Sequence, residues 1–259
     1  MELTKYLVGN TFRLYRGTGL PFTEELSKEE KETISTELAK RLYRIYKQNI
    51  HAYEDDLVVR YSTYRDVEKE IVINSGFLDE TRYLIVKSRN HRLLPRQTLL
   101  FARCNNNNDT ILLNRVANNQ APNNHLLQIL QDVTDSLFVE FALPPRFIPS
   151  FINKLSACFT NDVRLVYDIG QTKSLNNISI EVPGADVRIL QQEGKLYDSI
   201  CQFMYHCSKI RFNHLQPKKF VSDVINISGD GRFKFNVDDD DDETLVWLLI
   251  ENIQSALEG

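Results

Sequence analysis

Residues 68–104 read EKEIVINSGFLDETRYLIVKSRNHRLLPRQTLLFARC. Three short runs stand out: EKEIVIN (68–74), TRYLIVKS (81–88) and RQTLLFARC (96–104). Each is rich in Val, Ile, Leu and aromatic residues, and turn signals separate them at Asn74-Ser75-Gly76 and Pro95. β-Branched and aromatic side chains suit a pleated, half-buried surface, so these runs predict strands. Connections this short join antiparallel neighbours, because a parallel pair needs a long crossover. DLVVRYSTY (56–64) immediately upstream has the same character.

Working outward, LTKYLVGN and TFRLYRG predict two short strands hinged at Gly9-Asn10. A helix follows from Ser27, where Ser27-x-x-Glu30 forms a capping box and Ile34, Leu38, Leu42 and Ile45 make an apolar stripe. Residues 105–124 are asparagine-rich and read as a long surface loop with one short ordered element, TILLNRV. Beyond it, HLLQILQDVTDSL reads as helix, LFVEFAL as strand and PPRFIPSFINKLSACF as a helix entered through prolines. DVRLVYDIG and LNNISIEVPG read as strands, and EGKLYDSICQFMYHCSK as helix. FVSDVINI and RFKFNV form a hairpin across Ser228-Gly229-Asp230-Gly231, a strong tight-turn signal. The fold class is therefore α+β: mainly antiparallel β-sheets with packed helices in two intimately joined lobes. The first spans residues 1–160 and carries the loop at 105–124. The second spans 161–259, ends in a helix and is the candidate region for partner binding or dimerisation.

The chain has 259 residues, 42% hydrophobic and 25% charged, which is ordinary for a globular protein. No apolar run approaches the roughly 18 residues that a membrane-spanning helix needs. The N-terminus lacks a basic leader followed by an apolar core, so no signal peptide is expected. Cys104, Cys158, Cys201 and Cys207 form no CxxC pair and are expected to be reduced thiols, as in the nucleus or cytosol. The total charge is −4; taking away the six negatives of Asp238–Glu243 leaves the rest at about +2, which does not mark a nucleic-acid binder.

No phosphate-binding loop, dinucleotide fingerprint, zinc-protease motif or nucleophile elbow is present. His51, His91, His125, His206 and His214 have no metal spacing, and no metal or cofactor is expected. His206 and Cys207 are adjacent on a helix and point about 100° apart, so they do not form a nucleophile pair. The acidic run lacks the alternation of a calcium loop. It reads best as a helix entry in which Asp240 and Glu243 form a capping box at the positive end of the dipole, with an interaction patch as the alternative. Behind it, Leu245, Leu249, Ile253 and Leu257 make one apolar stripe, while Trp247 and Leu248 add apolar surface elsewhere. That excess suggests burial between layers or a partner.

Two acid-free stretches are basic. Thr81–Asn108 holds six cations, and Lys87, Arg89, Arg92 and Arg96 crowd its apparent hairpin tip. SKIRFNHLQPKKFVS holds Lys209, Arg211, Lys218 and Lys219. Both read first as solvated faces. The sharper alternative is contact with a nucleic-acid backbone through Lys87, Arg89, Arg92, Arg96, Lys218 and Lys219, since such cations neutralise phosphates without reading sequence.

The order of segments resembles the CENP-L family of inner-kinetochore subunits in its divergent budding-yeast form. The resemblance lies in LTKYLVGNTFRLYRGTG, LVVRYSTYRDVEKEIVIN, LDETRYLIVKSRNHRLLPRQTLLFARC, LLQILQDVTDSLFVEFALPP, LNNISIEVPG and YDSICQFMYHC…LLIENIQSALEG. It covers most of the chain through diffuse apolar pattern rather than a sharp motif. It implies a non-enzymatic structural subunit of the constitutive centromere-associated network, located in the nucleus at the kinetochore. It also implies pairing with a CENP-N-type subunit by sheet extension, contact with other inner-kinetochore subunits, self-association, and centromeric DNA contact through the complex. The implied role is chromosome segregation in mitosis and meiosis. A free strand edge in the hairpin Val221–Val237 is the expected partner surface, through Val224, Ile225, Ile227, Phe233 and Phe235, with Trp247 and Leu248 from the last helix; burial of the hairpin residues in the core is the alternative. A general nucleic-acid-binding module acting through basic hairpins is the rival function. An enzyme would need a deep polar pocket, and no residue set nominates one.

Overall fold

The computed structural model describes residues 7–18, 25–48, 61–78, 81–89, 93–103, 109–116, 121–169, 177–192, 195–236, 248, 251–252 and 255. The fold is α+β with antiparallel strand pairing, as the sequence implies. The chain forms two compact units. One comprises Tyr15–Glu140; the other comprises Glu2–Leu14 and Phe141–Gly259. The division thus falls after Glu140 rather than after residue 160. The reason lies in strand pairing: β1 (Thr11–Thr18) pairs with a strand of the second unit through Thr11–Arg13 and with one of the first through Tyr15–Thr18.

The first unit begins with α1 (Lys28–Gln48). Its capping box forms as the sequence indicates: the Ser27 N–H donates to Glu30 Oε2 at 2.8 Å and the Glu30 N–H to Ser27 Oγ at 3.2 Å. Ile34, Leu38, Ala39, Leu42 and Tyr46 are buried along one face. A second helix, α2 (Tyr64–Glu70), begins at the last residue of the strand expected over 56–64; Tyr61–Thr63 are not strand, and residues 56–60 lie outside the described set. Thr63 and Asp66 explain it. Asp66 Oδ2 accepts from the Thr63 N–H at 2.9 Å, the Thr63 hydroxyl at 3.0 Å and the Ser62 hydroxyl at 2.9 Å. This reciprocal cap starts a helix where β propensity alone suggests a strand.

These hydrogen bonds, the Ser62 hydroxyl first, hold the Asp66 carboxyl at about 2, well below the ordinary 3.8. Because the folded value is the lower one, its contribution is complete above pH 4 and disappears as pH falls towards 2. Asp66→Asn is therefore expected to flatten the acid limb of a stability–pH curve in that window; an unchanged limb refutes this account of the cap.

The strands of this unit run in the order β2 (Ile71–Leu78), β3 (Thr81–Ser88), β4 (Gln97–Arg103) and β5 (Asp109–Arg115). Asn74-Ser75-Gly76 is not a turn: β2 runs through it, paired with β3 from Ile71↔Ser88 to Leu78↔Thr81. Gly76 faces Tyr83 across the strands, and a Cβ there would lie 2.5 Å from the tyrosine Oη. Glycine makes room for that ring rather than bending the chain. The ordered element expected within the asparagine-rich tract is a strand that takes in Thr110–Arg115, and α3 (Ala121–Thr134) begins inside the tract, earlier than expected. Leu84, Val86, Leu99, Phe101 and Leu112 from the strands meet Ile34, Leu38, Leu126 and Leu130 from the helices in one core. The short β6 (Leu137–Glu140) then pairs with Tyr15–Thr18.

In the second unit the strands are ordered β1, β11 (Arg232–Phe235), β10 (Ile225–Ser228), β9 (Pro217–Val221), β7 (Val163–Asp168) and β8 (Asn177–Val182). FVSDVINI contributes to two strands instead of one. The Ser222 N–H donates to the Ile225 carbonyl at 3.0 Å, and the Ile225 N–H to Ser222 Oγ at 3.0 Å, which reverses the chain between β9 and β10. Among the described residues this unit carries the helices α4 (Phe147–Lys154), α5 (Gly184–Gln192) and α6 (Leu196–Ser208). The core includes Phe159 against Phe220 at 5.0 Å and Tyr167 against Phe212 at 5.3 Å between ring centroids. At the N-terminus the chain turns at Gly9, and Val8 forms an isolated bridge with Phe235; residues 1–6 lie outside the described set. Leu248, Glu251, Asn252 and Ser255 are helical, in accord with the expected last helix. The acidic run, its Asp240–Glu243 box, the Leu245–Leu257 stripe and Trp247 fall outside the described residues.

Candidate functional site

The expected partner edge is not an edge. β11 pairs with β1 on one side and β10 on the other, and β10 also pairs with β9, so the Val221–Val237 hairpin lies inside the sheet. Val224, Ile225, Ile227, Phe233 and Phe235 are all buried. Alternation along short strands identified their inward side but could not say what flanks them. Leu248 is half-buried.

In the second unit the outermost strand is β8. Among the described residues this strand pairs with β7 alone, over Val163↔Val182 to Asp168↔Asn177. Ile180 and Val182 point into the unit, while Ser179 and Glu181 are exposed. The chain leaves β8 through Pro183, whose carbonyl accepts from the Asp186 N–H at 2.9 Å and the Val187 N–H at 3.0 Å, starting α5 at once. Asp162 Oδ1 accepts from the Gly184 N–H at 2.8 Å and caps the same turn. These short links set α5 and then α6 beside the edge strand. Between them lies a groove of about 330 Å³ lined by Ile180, Val182, Pro183, Ile189, Leu190, Ile200, Phe203 and Met204, with Glu181 and Asp186 as its only charged residues. Ile189 is 57% exposed and Phe203 56%. Sequence reading missed α5 altogether; Val187 and Leu190, three apart after Pro183-Gly184, were the available signal.

The basic residues separate by unit. In the first, Lys87 and Arg89 are exposed, while Arg96 is half-buried and its carbonyl accepts from Arg115 Nη1 at 2.7 Å. The expected hairpin tip folds back, with Leu93 and Leu94 buried and the Ser88 N–H donating to the Leu94 carbonyl; Arg92 lies outside the described residues. Burial, with the Arg96 charge adding to it, pushes the Arg115 guanidinium down from its ordinary value. In the second unit Lys218 pairs with Asp168 at 2.9 Å. Lys219 is exposed and, with Arg232 and Lys234, lines a shallow cup of about 340 Å³ over Asn226 and Ser228.

Among the described residues no group of His, Cys, Asp and Glu is arranged to hold a metal, and no helix is long and apolar enough to cross a membrane. Burial pushes the thiols of Cys158 and Cys201 up, and the buried phenols of Tyr167 and Tyr197 likewise. Cys207 is exposed. Alkylation of the native protein followed by peptide mapping is expected to modify Cys207 before Cys201, which reacts only after unfolding; equal rates for the two would contradict this placement.

No family model matches the chain, and no curated protein matches it in sequence.

Proposed function

We propose that the chain is a non-enzymatic scaffold subunit of the inner kinetochore, of the CENP-L type, which takes a CENP-N-type partner at the β8 edge and serves chromosome segregation in the nucleus. The observation that carries this reading is the coincidence, among the described residues, of a strand edge with an apolar groove that holds two exposed large side chains, Ile189 and Phe203. An incoming strand satisfies the edge's backbone groups, and its apolar side chains fill the groove. The segment order supports the choice of partner. A second copy of the chain competes for the same edge and gives a homodimer.

Size-exclusion chromatography with light scattering of the full chain and a CENP-N-type C-terminal fragment tests this. A stable heterodimer is expected, and Ile189→Glu with Phe203→Glu should weaken it by about 100-fold or more, as loss of two buried anchors does. Absence of the heterodimer refutes the partner, whereas a heterodimer indifferent to both substitutions refutes the site.

Nucleic-acid binding is the second reading, favoured by Lys219, Arg232 and Lys234 lining the polar cup. Strands about 4.8 Å apart array such cations at spacings suited to a phosphate backbone. Lys219→Glu with Lys234→Glu is expected to lower duplex-DNA affinity and to reduce its salt dependence by roughly two counterions. Equal salt slopes would rule it out.

A further inference from the structure

The second half of α6 stands out from its first. Leu196, Tyr197, Ser199, Ile200 and Cys201 are buried, but from Gln202 to Arg211 every residue is exposed except the half-buried Met204. A helix end open to solvent on every side is ordinarily polar. This one carries Phe203, which lines the β8 groove, and Tyr205, with Ile210 just beyond it; they are three of the seven large hydrophobic side chains exposed among the described residues. Scattered exposed apolar residues need no explanation; three within eight positions at one helix end do.

The same end is cationic. No Asp or Glu occurs between Asp198 and Asp223. Lys209 Nζ and the Arg211 guanidinium each lie 5.8 Å from the Tyr205 ring centroid. Lys209 closes the helix in the left-handed region at φ 60°, and its ammonium donates to the His206 carbonyl at 3.2 Å, the usual service of a cation at a helix C-terminus. Arg211 lies beyond the helix. It lines a cavity of about 440 Å³ with Tyr205, Gln202, Asn213, His214 and the buried Cys201. Asp198 is the one carboxylate lining that cavity, seven residues or about 10.5 Å along the helix from Tyr205.

We propose that this end of α6 is a docking surface for an acidic peptide segment carrying apolar anchors. Its carboxylates pair with Arg211 and Lys209, and an apolar side chain covers Tyr205 and enters the cavity. Charge complementarity selects the occupant. Two cations are too few to hold a nucleic-acid backbone at physiological salt, where binding rests on many phosphate contacts. The amides of Gln202 and Asn213 and the imidazole of His214 offer directional hydrogen bonds that suit the regularly spaced backbone donors and acceptors of a peptide. The residues substituted to test it, Tyr205, Lys209 and Arg211, differ from Ile189 and Phe203 of the heterodimer test, so the two can fail separately.

The test is fluorescence anisotropy of the full chain with a labelled synthetic peptide alternating glutamate with leucine and phenylalanine. Two control peptides replace glutamate by lysine, or the apolar residues by serine. The acidic apolar peptide should bind and both controls should not. Lys209→Glu with Arg211→Glu, and separately Tyr205→Ala, should each weaken binding by about tenfold or more. All three side chains are exposed, so the variants should stay folded, with the thermal transition lowered by a few degrees at most where Lys209→Glu loses its contact with the His206 carbonyl. No binding of the acidic apolar peptide, equal binding of the lysine peptide, or unchanged affinity in the folded variants would overturn the proposal. So would displacement of the peptide by duplex DNA or by phosphatidylserine vesicles.

Discussion

Gly231→Ala is expected to lower the unfolding free energy by about 2–5 kcal/mol, the sum of left-handed backbone strain and overpacking. Gly231 has φ +82°, and a Cβ there would collide with the Phe141 carbonyl oxygen. The backbone has no way to retreat. The Gly231 N–H donates to the Ser228 carbonyl at 3.0 Å, and its own carbonyl accepts from the Leu14 N–H at 2.9 Å. Gly229, two positions earlier in the same turn, has no positive φ, and its nearest neighbour would be the Lys218 carbonyl oxygen at 3.6 Å, an ordinary contact. Gly229→Ala should therefore change stability by less than about 1 kcal/mol. Urea unfolding of both variants decides the matter: similar midpoints would mean that the turn is not held by Phe141 and Leu14.

Phe233→Ala should cost about 3–5 kcal/mol, the range for deleting a buried aromatic side chain. Phe233 is 4% exposed. Its ring stacks on Phe12 at 5.9 Å and meets Phe235 edge-on at 5.6 Å. The result separates two accounts of the hairpin. A core residue destabilises the isolated chain when truncated. A residue facing an absent partner leaves the isolated chain unchanged and weakens only the complex. Denaturant unfolding of the isolated protein is thus the measurement, and a loss under about 1 kcal/mol would restore the hairpin as a partner surface.

Much of the architecture is written in local pattern. The Ser27–Glu30 box, the stripe Ile34–Leu38–Leu42, the strand TRYLIVKS and the hairpin turn at Ser228–Gly231 all form as their residues imply. Errors fell where one signal has two physical uses. Gly76 reads as a turn glycine, but its missing side chain accommodates Tyr83. Thr63 carries strand propensity, yet with Asp66 it caps a helix. TILLNRV does form the ordered element expected within the polar tract, but nothing local reveals that it pairs with β4.

The candidate site was legible only in its ingredients. LNNISIEVPG reads as a strand and EGKLYDSICQFMYHCSK as a helix, and both contribute to the groove. The residues chosen for the partner were instead those with the strongest apolar alternation, Ile225, Ile227, Phe233 and Phe235. Strong alternation marks a strand with one buried face, and burial by the chain itself is the commoner cause.

By itself, the amino-acid order determined that this protein is α+β, where most of its helices and strands lie, and which side of the hairpin turns inward. Those features depend on side-chain period, caps and turn chemistry, which act over a few residues. Only the tertiary structure decided which strand is last in the second unit and which apolar residues are left uncovered. A strand becomes an edge through the absence of a neighbour, and pairing is settled between segments far apart in the chain, as β1 with β11 shows. No local pattern in β8 encodes that absence.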